Sequence, residues 1–137
     1  MIQITDLNHV SIIVKDVEAS KRFYCEILGM AEVPRPLNFD FEGAWFRKGG
    51  AEIHLVQANE AVQAPGDAPT KPTERRDLTF ARHMSLGVDD INQAIRTLEE
   101  NEIPVVKGPR PRGDGAVQLY CFDPDGHLIE LTAKESQ

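Results

Sequence analysis

The segment Leu7 to Lys15 alternates with period two. His9, Ser11 and Ile13 fall on one face and Val10, Ile12 and Val14 on the other, so it predicts a strand. Asp16 then suits a helix N-cap, and Glu18 stands in the first turn, where the helix dipole favours acid. Val17, Phe23, Tyr24, Ile27 and Leu28 mark the apolar stripe of a helix running to about Leu28, closed by Gly29. Met30 to Val33 predicts a short strand stopped by Pro34, and residues 35–42 a loop. Gly43 to Lys48 and Ala51 to Gln57 form a hairpin over Gly49-Gly50. The order is β-α-β-β-β.

The same order returns downstream. Arg82 to Asp89 predicts a strand with His83, Ser85 and Gly87 on one face. Asp89 or Asp90 caps a helix with the inner face Ile91, Ala94, Ile95 and Leu98, which Asn101 ends. Ile103 to Val106 reads as a strand, Pro109-Arg110-Pro111-Arg112-Gly113-Asp114-Gly115 as a loop, and Val117 to Phe122 as a strand entering a turn at Asp123-Pro124-Asp125-Gly126. Beyond the turn Leu128, Glu130 and Thr132 share a face, with Ile129 and Leu131 behind them. In both halves the non-histidine face of the first strand is apolar and packs on the helix. The histidine face carries smaller or polar residues, as expected of a sheet with helices on one side and a ligand cavity on the other.

The likeness of the halves extends to single residues. One constant offset carries Phe46 onto Phe122, Gly50 onto Gly126, Ile53 onto Ile129 and His54 onto Glu130. A nearly equal one carries His9-Val10-Ser11 onto His83-Met84-Ser85. The chain is therefore two copies of one unit. Each copy has a histidine on its first strand and a His or Glu on its last. A carboxylate among apolar strand neighbours, as at Glu130, is costly unless its charge is compensated. Thus His9, His54, His83 and Glu130 form two matched pairs of potential metal ligands. The fold class is α+β, with paired βαβββ modules at about 4–57 and 82–133 of one domain, 1–137. They are joined by a Pro-rich connector, 58–81, too long for an ordinary loop.

Composition narrows the function. The formal net charge of −7 argues against a nucleic-acid or acidic-membrane surface, and no apolar run approaches a membrane span. The start lacks a basic, apolar signal sequence, and Cys25 and Cys121 form no CxxC pair, which suits a reducing cytoplasm.

Asn8-His9-Val10-Ser11, the helix end Phe23-Tyr24-Cys25-Glu26-Ile27-Leu28-Gly29-Met30, and Asp123-Pro124-Asp125-Gly126-His127-Leu128-Ile129-Glu130 together resemble the vicinal oxygen chelate superfamily. That superfamily includes glyoxalase I, fosfomycin-modifying enzymes, bleomycin-resistance proteins, methylmalonyl-CoA epimerase and extradiol dioxygenases. The resemblance covers nearly everything outside the connector. It implies a cupped mixed sheet with helices on its outer face (the glyoxalase/dioxygenase fold), often in a homodimer. It also implies one divalent transition metal (Ni, Co, Zn, Fe or Mn) held by His9, His54, His83 and Glu130. Three imidazoles and a carboxylate suit such ions better than Mg or Ca.

Among these families glyoxalase I looks nearest, because it fills all four ligand positions. Its bacterial pattern is His, Glu, His, Glu, and this chain departs from it at His54. The resemblance implies that Glu130, on the last strand, can leave the metal and act as the base toward a substrate C–H. The reading is a lyase or isomerase of the glyoxalase I type, acting on a small substrate with vicinal oxygens. The alternatives are an Fe(II) extradiol dioxygenase and a fosfomycin- or bleomycin-type resistance or binding protein. A fourth protein ligand at His54 would block a coordination position that the dioxygenase needs.

Further candidates surround these ligands. If the turn at Gly49-Gly50 is even in length, Trp45 falls on the His54 face and can line the cavity, against a plainer reading as a core tryptophan. Ser11 and Ser85 are small polar residues on the histidine faces. Arg110 and Arg112 can clamp an anionic substrate group, against a plainer reading as solvated loop residues. Glu52 reads as the rim of the cavity or a salt bridge. His127, beside the turn, reads as exposed. Arg75, Arg76 and Asp77 read as solvated.

Overall fold

The computed structural model describes residues 1–60 and 81–135. They fall into two compact units, Met1–Ala64 and Pro65–Gln137. The expectations for the connector, including Arg75, Arg76 and Asp77, lie outside the described residues apart from its two ends.

The first unit runs β1 (Val10–Val14), α1 (Val17–Lys21) with a π-helical continuation (Arg22–Ile27), β2 (Ala31–Val33), β3 (Gly43–Lys48) and β4 (Ala51–Gln57). Its sheet has the order β1-β4-β3-β2, with β1 parallel to β4 and the other pairs antiparallel. Asp16 caps α1 as expected, its side chain accepting from the Glu18 N–H at 3.0 Å. The helix does not continue as a plain α-helix to Leu28. Leu28 N–H reaches back five residues to the Phe23 carbonyl at 3.0 Å. Within this wider turn Phe23 and Tyr24 are both buried, and Tyr24 stacks on Phe46 of β3. Ala44, Phe46, Ile53 and Leu55 complete that core face, and Trp45 and His54 occupy the other.

The second unit runs β5 (Met84–Gly87), α2 (Ile91–Glu100), β6 (Lys107–Pro111), β7 (Ala116–Phe122) and β8 (Leu128–Lys134), in the sheet order β5-β8-β7-β6. Asp90 is the cap of α2, its carboxylate accepting from Asn92 N–H and Gln93 N–H. Leu119, Cys121, Ile129, Leu131 and Leu98 form the buried helix side. The Asp123–His127 turn is tied by Asp123 Oδ1, which accepts from Asp125 N–H at 2.9 Å and His127 N–H at 2.8 Å, while Gly126 takes φ 84°.

Three expectations are corrected. The strands expected at Leu7 and Arg82 begin later, at Val10 and Met84, so His9 and His83 each stand one position before their strand. Residues 103–106 are not a strand, and the strand lies at Lys107–Pro111, in the segment read as a loop. Prolines pointed to a loop because they cannot donate to a sheet ladder, but β6 is an edge strand, where an absent donor costs little. His127 is half-buried rather than exposed. Both units have the βαβββ order, and the class is α+β.

Candidate metal-binding half-sites and the family of the chain

In the first unit the parallel pairing of β1 with β4 puts Ser11 beside His54, and the β3–β4 hairpin puts Trp45 opposite it. Trp45 stacks on the His54 ring at 3.8 Å with 1° between planes. His9 also stacks on His54, at 3.9 Å and 17°. The hydrogen bonds of the two imidazoles divide their nitrogens. His9 Nδ1 lies 2.8 Å from Asn8 Oδ1, which leaves Nε2. His54 Nε2 lies 3.0 Å from Glu52 Oε1, which leaves Nδ1. Glu52 is in turn bound by Arg47 Nε at 3.1 Å, so it is both a salt-bridge residue and the partner of His54. The hydrogen bond from His54 and then the one from Arg47 hold its carboxyl below the ordinary carboxylate range.

In the second unit β5 lies parallel to β8, with Ser85 beside Glu130. Glu130 is buried, 4% exposed. His83 Nε2 stands 3.1 Å from Glu130 Oε2, and His83 Nδ1 stands 2.8 Å from the Ala81 carbonyl oxygen. A carbonyl oxygen can only accept, so Nδ1 carries the hydrogen. In the neutral ring Nε2 is then a bare lone pair facing a carboxylate oxygen. Two acceptors in contact call for a shared proton or a cation. Adjacent donors about 2.1 Å from an octahedral ion stand about 3.0 Å apart, close to the separation found here.

His9 and His54 each give one nitrogen to a protein oxygen and keep the other, and His83 gives Nδ1 to the Ala81 carbonyl while its Nε2 faces Glu130. That is the usual arrangement of metal-binding histidines. The residues therefore fit a metal as two half-sites, His9 with His54 and His83 with Glu130. Two stacked, nearly parallel rings cannot aim their in-plane lone pairs at one ion, so one of His9 and His54 would have to turn to hold it. Among the described residues no group of three or more His, Cys, Asp or Glu side chains forms a ready metal cluster.

Arg110 and Arg112 are not plainly solvated. Arg110 lies on β6 opposite Gln118. Arg112 grips Asp114, with Nη2 at 2.8 Å from Oδ2, and its Nη1 reaches Glu130 Oε1 at 3.5 Å and Thr132 Oγ1 at 3.3 Å. That grip holds the Asp114 carboxyl below its ordinary range. Sequence reasoning missed Gln118, whose buried amide faces Glu130. A polar residue in the middle of the run Ala116-Val117-Gln118-Leu119-Tyr120-Cys121 was the available signal.

The family model described as Glyoxalase/Bleomycin resistance protein/Dioxygenase superfamily matches residues 6–131. The chain belongs to this superfamily. It is 34% identical to glyoxylase I 4 of Arabidopsis thaliana over 131 residues, covering 95% of this chain and 71% of the relative. It is 29% identical to the metallothiol transferase FosB of Staphylococcus epidermidis, covering 94% and 82%. The crystal structure of a glyoxalase/dioxygenase from Nostoc punctiforme superposes with a TM-score of 0.75 at 26% identity, covering 94% of this chain and 90% of that one. The glyoxalase/dioxygenase fold is thus shared. Among the described residues no helix is long and apolar enough to cross a membrane.

Proposed function

We propose that this superfamily member is a divalent-metal-dependent lyase or isomerase of the glyoxalase I type, acting on a small substrate with vicinal oxygens. The observation that carries the reading is the His83–Glu130 contact, an imidazole lone pair against a buried carboxylate with the other ring nitrogen already committed to Ala81. His9 and His54 supply the second pair of donors, through Nε2 and Nδ1 respectively. When bound, a divalent transition metal would polarise the vicinal oxygens of the substrate and so acidify the C–H on one of the two carbons that bear them. Glu130 then takes the proton on Oε2 and returns it to the neighbouring carbon. Its burial opposite Tyr120 keeps water from competing for that proton. Trp45 offers a flat face beside His54, Ser11 and Ser85 offer hydroxyls beside His54 and Glu130, and Arg110 and Arg112 supply positive charge for an anionic group. The working form is a homodimer.

Two measurements test this. Elemental analysis of protein purified without a His tag should find close to one transition-metal equivalent per chain. With the hemithioacetal of methylglyoxal and a thiol, Glu130→Gln should keep the fold and lose roughly 10²-fold or more of the proton transfer. An active metal-free wild type, or a fully active Glu130→Gln variant, would defeat the proposal. A second reading, thiol transfer to a small electrophile, is favoured by the likeness to FosB. Thiol consumption without isomerised product would select it.

A further inference from the structure

One line of side chains crosses the second unit from edge to edge. With its amide oriented to satisfy both neighbours, Gln118 accepts from Arg110 Nε at 3.3 Å and donates to Glu130 Oε1 at 2.9 Å. Glu130 Oε2 then meets His83 Nε2 at 3.1 Å, and His83 Nδ1 meets the Ala81 carbonyl at 2.8 Å. Arg110, Gln118 and Glu130 come from β6, β7 and β8, and His83 directly precedes β5.

This line treats the two carboxylate oxygens of Glu130 differently. Oε1 is engaged by Gln118 and, from farther off, by Arg112 Nη1 at 3.5 Å. Oε2 is left to the His83 side. A carboxylate held at one oxygen cannot spin about its last bond without breaking that hydrogen bond in a buried setting, where the loss is expensive. Gln118 is itself 3% exposed, and Arg110 keys its amide, so a flip would set two donors and two acceptors against each other.

We propose that Gln118 is a positioning residue for Glu130. Its N–H fixes Oε1, so that Glu130 presents Oε2 alone, as a single-oxygen donor, to a metal or, once off the metal, to the substrate proton. Arg110 sets the orientation of Gln118 and acts one step further out. This inference rests on the metal reading above and adds to it a residue that touches neither metal nor substrate.

The test is a Co(II) titration of metal-free protein, followed by binding calorimetry and the visible absorption of the bound ion. The variants are Gln118→Met, similar in length but without the donor, and Arg110→Met. Gln118→Met should weaken Co(II) binding about 10- to 100-fold and change the visible spectrum, because a freed carboxylate can bind through both oxygens. Arg110→Met should move both readouts the same way by a smaller factor. A merely structural role for Gln118 predicts lower thermal stability with unchanged affinity and spectrum, and that result would overturn the proposal. Should Gln118→Met not fold, Arg110→Met decides, and an unchanged affinity and spectrum there overturns it equally. Wild type that takes up no Co(II) would instead remove the metal reading itself.

Discussion

His54 shows how one residue's chemistry depends on its neighbours. Glu52 Oε1 takes the hydrogen of Nε2 and leaves Nδ1 as the free donor, and Trp45 and His9 sandwich the ring. A carboxylate behind a ligating histidine holds the tautomer and raises the basicity of the other nitrogen. Glu52→Gln should therefore weaken transition-metal binding about 10-fold or more, read by competition with a chromogenic chelator, while the half-exposed Arg47 loses only a surface partner. The cysteines make a separate residue-scale prediction. Burial, and then the charge of Asp123, push the Cys121 thiol up to about 12, so it stays protonated at ordinary pH. Cys25 is only partly covered, with a smaller upward shift from burial. At pH 8 an aromatic disulfide reagent should modify Cys25 slowly, and Cys121 only after unfolding. Rapid modification of two thiols in the native protein would contradict this.

At the scale of elements, β6 is the instructive case. Its prolines argued for a loop, yet the segment closes the edge of the second sheet and places Arg110 opposite Gln118. Gly108 makes that pairing possible. It takes φ 88°, and an added Cβ would stand 2.6 Å from the Gln118 carbonyl oxygen. Gly108→Ala should therefore destabilise the protein by about 2 kcal/mol or more, from the left-handed backbone penalty plus the clash. The expected signature is a lower denaturant midpoint with an unchanged slope. A midpoint equal to wild type would mean that β6 can shift away from β7 at no cost. The π-helical stretch makes a parallel point: Phe23 and Tyr24 are both legible as core residues, but the wider turn that holds them is not.

For the whole molecule, the repeat is the main fact, because each copy carries its own pair of candidate ligands, His9 with His54 and His83 with Glu130. A ligand that binds only the folded state stabilises it by about 2.7 kcal/mol at a free concentration of 100 times Kd. For a chain of this size that raises Tm by roughly 10 °C. Adding Ni(II) or Co(II) to metal-free protein should produce such a rise, and His83→Ala should abolish it. On the proposed ligand set, oxygen uptake with catechols should be negligible in Fe(II)-loaded wild type, because four protein ligands on a six-coordinate ion would leave two positions, too few for a bidentate catechol and oxygen together. Rapid uptake on an oxygen electrode, with ring-cleaved product, would favour the dioxygenase instead. By itself the sequence determined the βαβββ order, the duplication, the faces of the strands and the pairing of His9 with His54 and His83 with Glu130. These follow from period, turn chemistry and an internal offset, all of which are local or self-referring. Trp45 was also within reach, because a tight hairpin sets its own register. Only the tertiary structure decided that β6 is a strand, that Glu52 takes one nitrogen of His54, and that Gln118 and Arg112 hold one oxygen of Glu130. Those facts depend on which side chains meet across strands, and a buried polar group takes whichever partner the packing brings within about 3 Å, so no neighbour in sequence announces it.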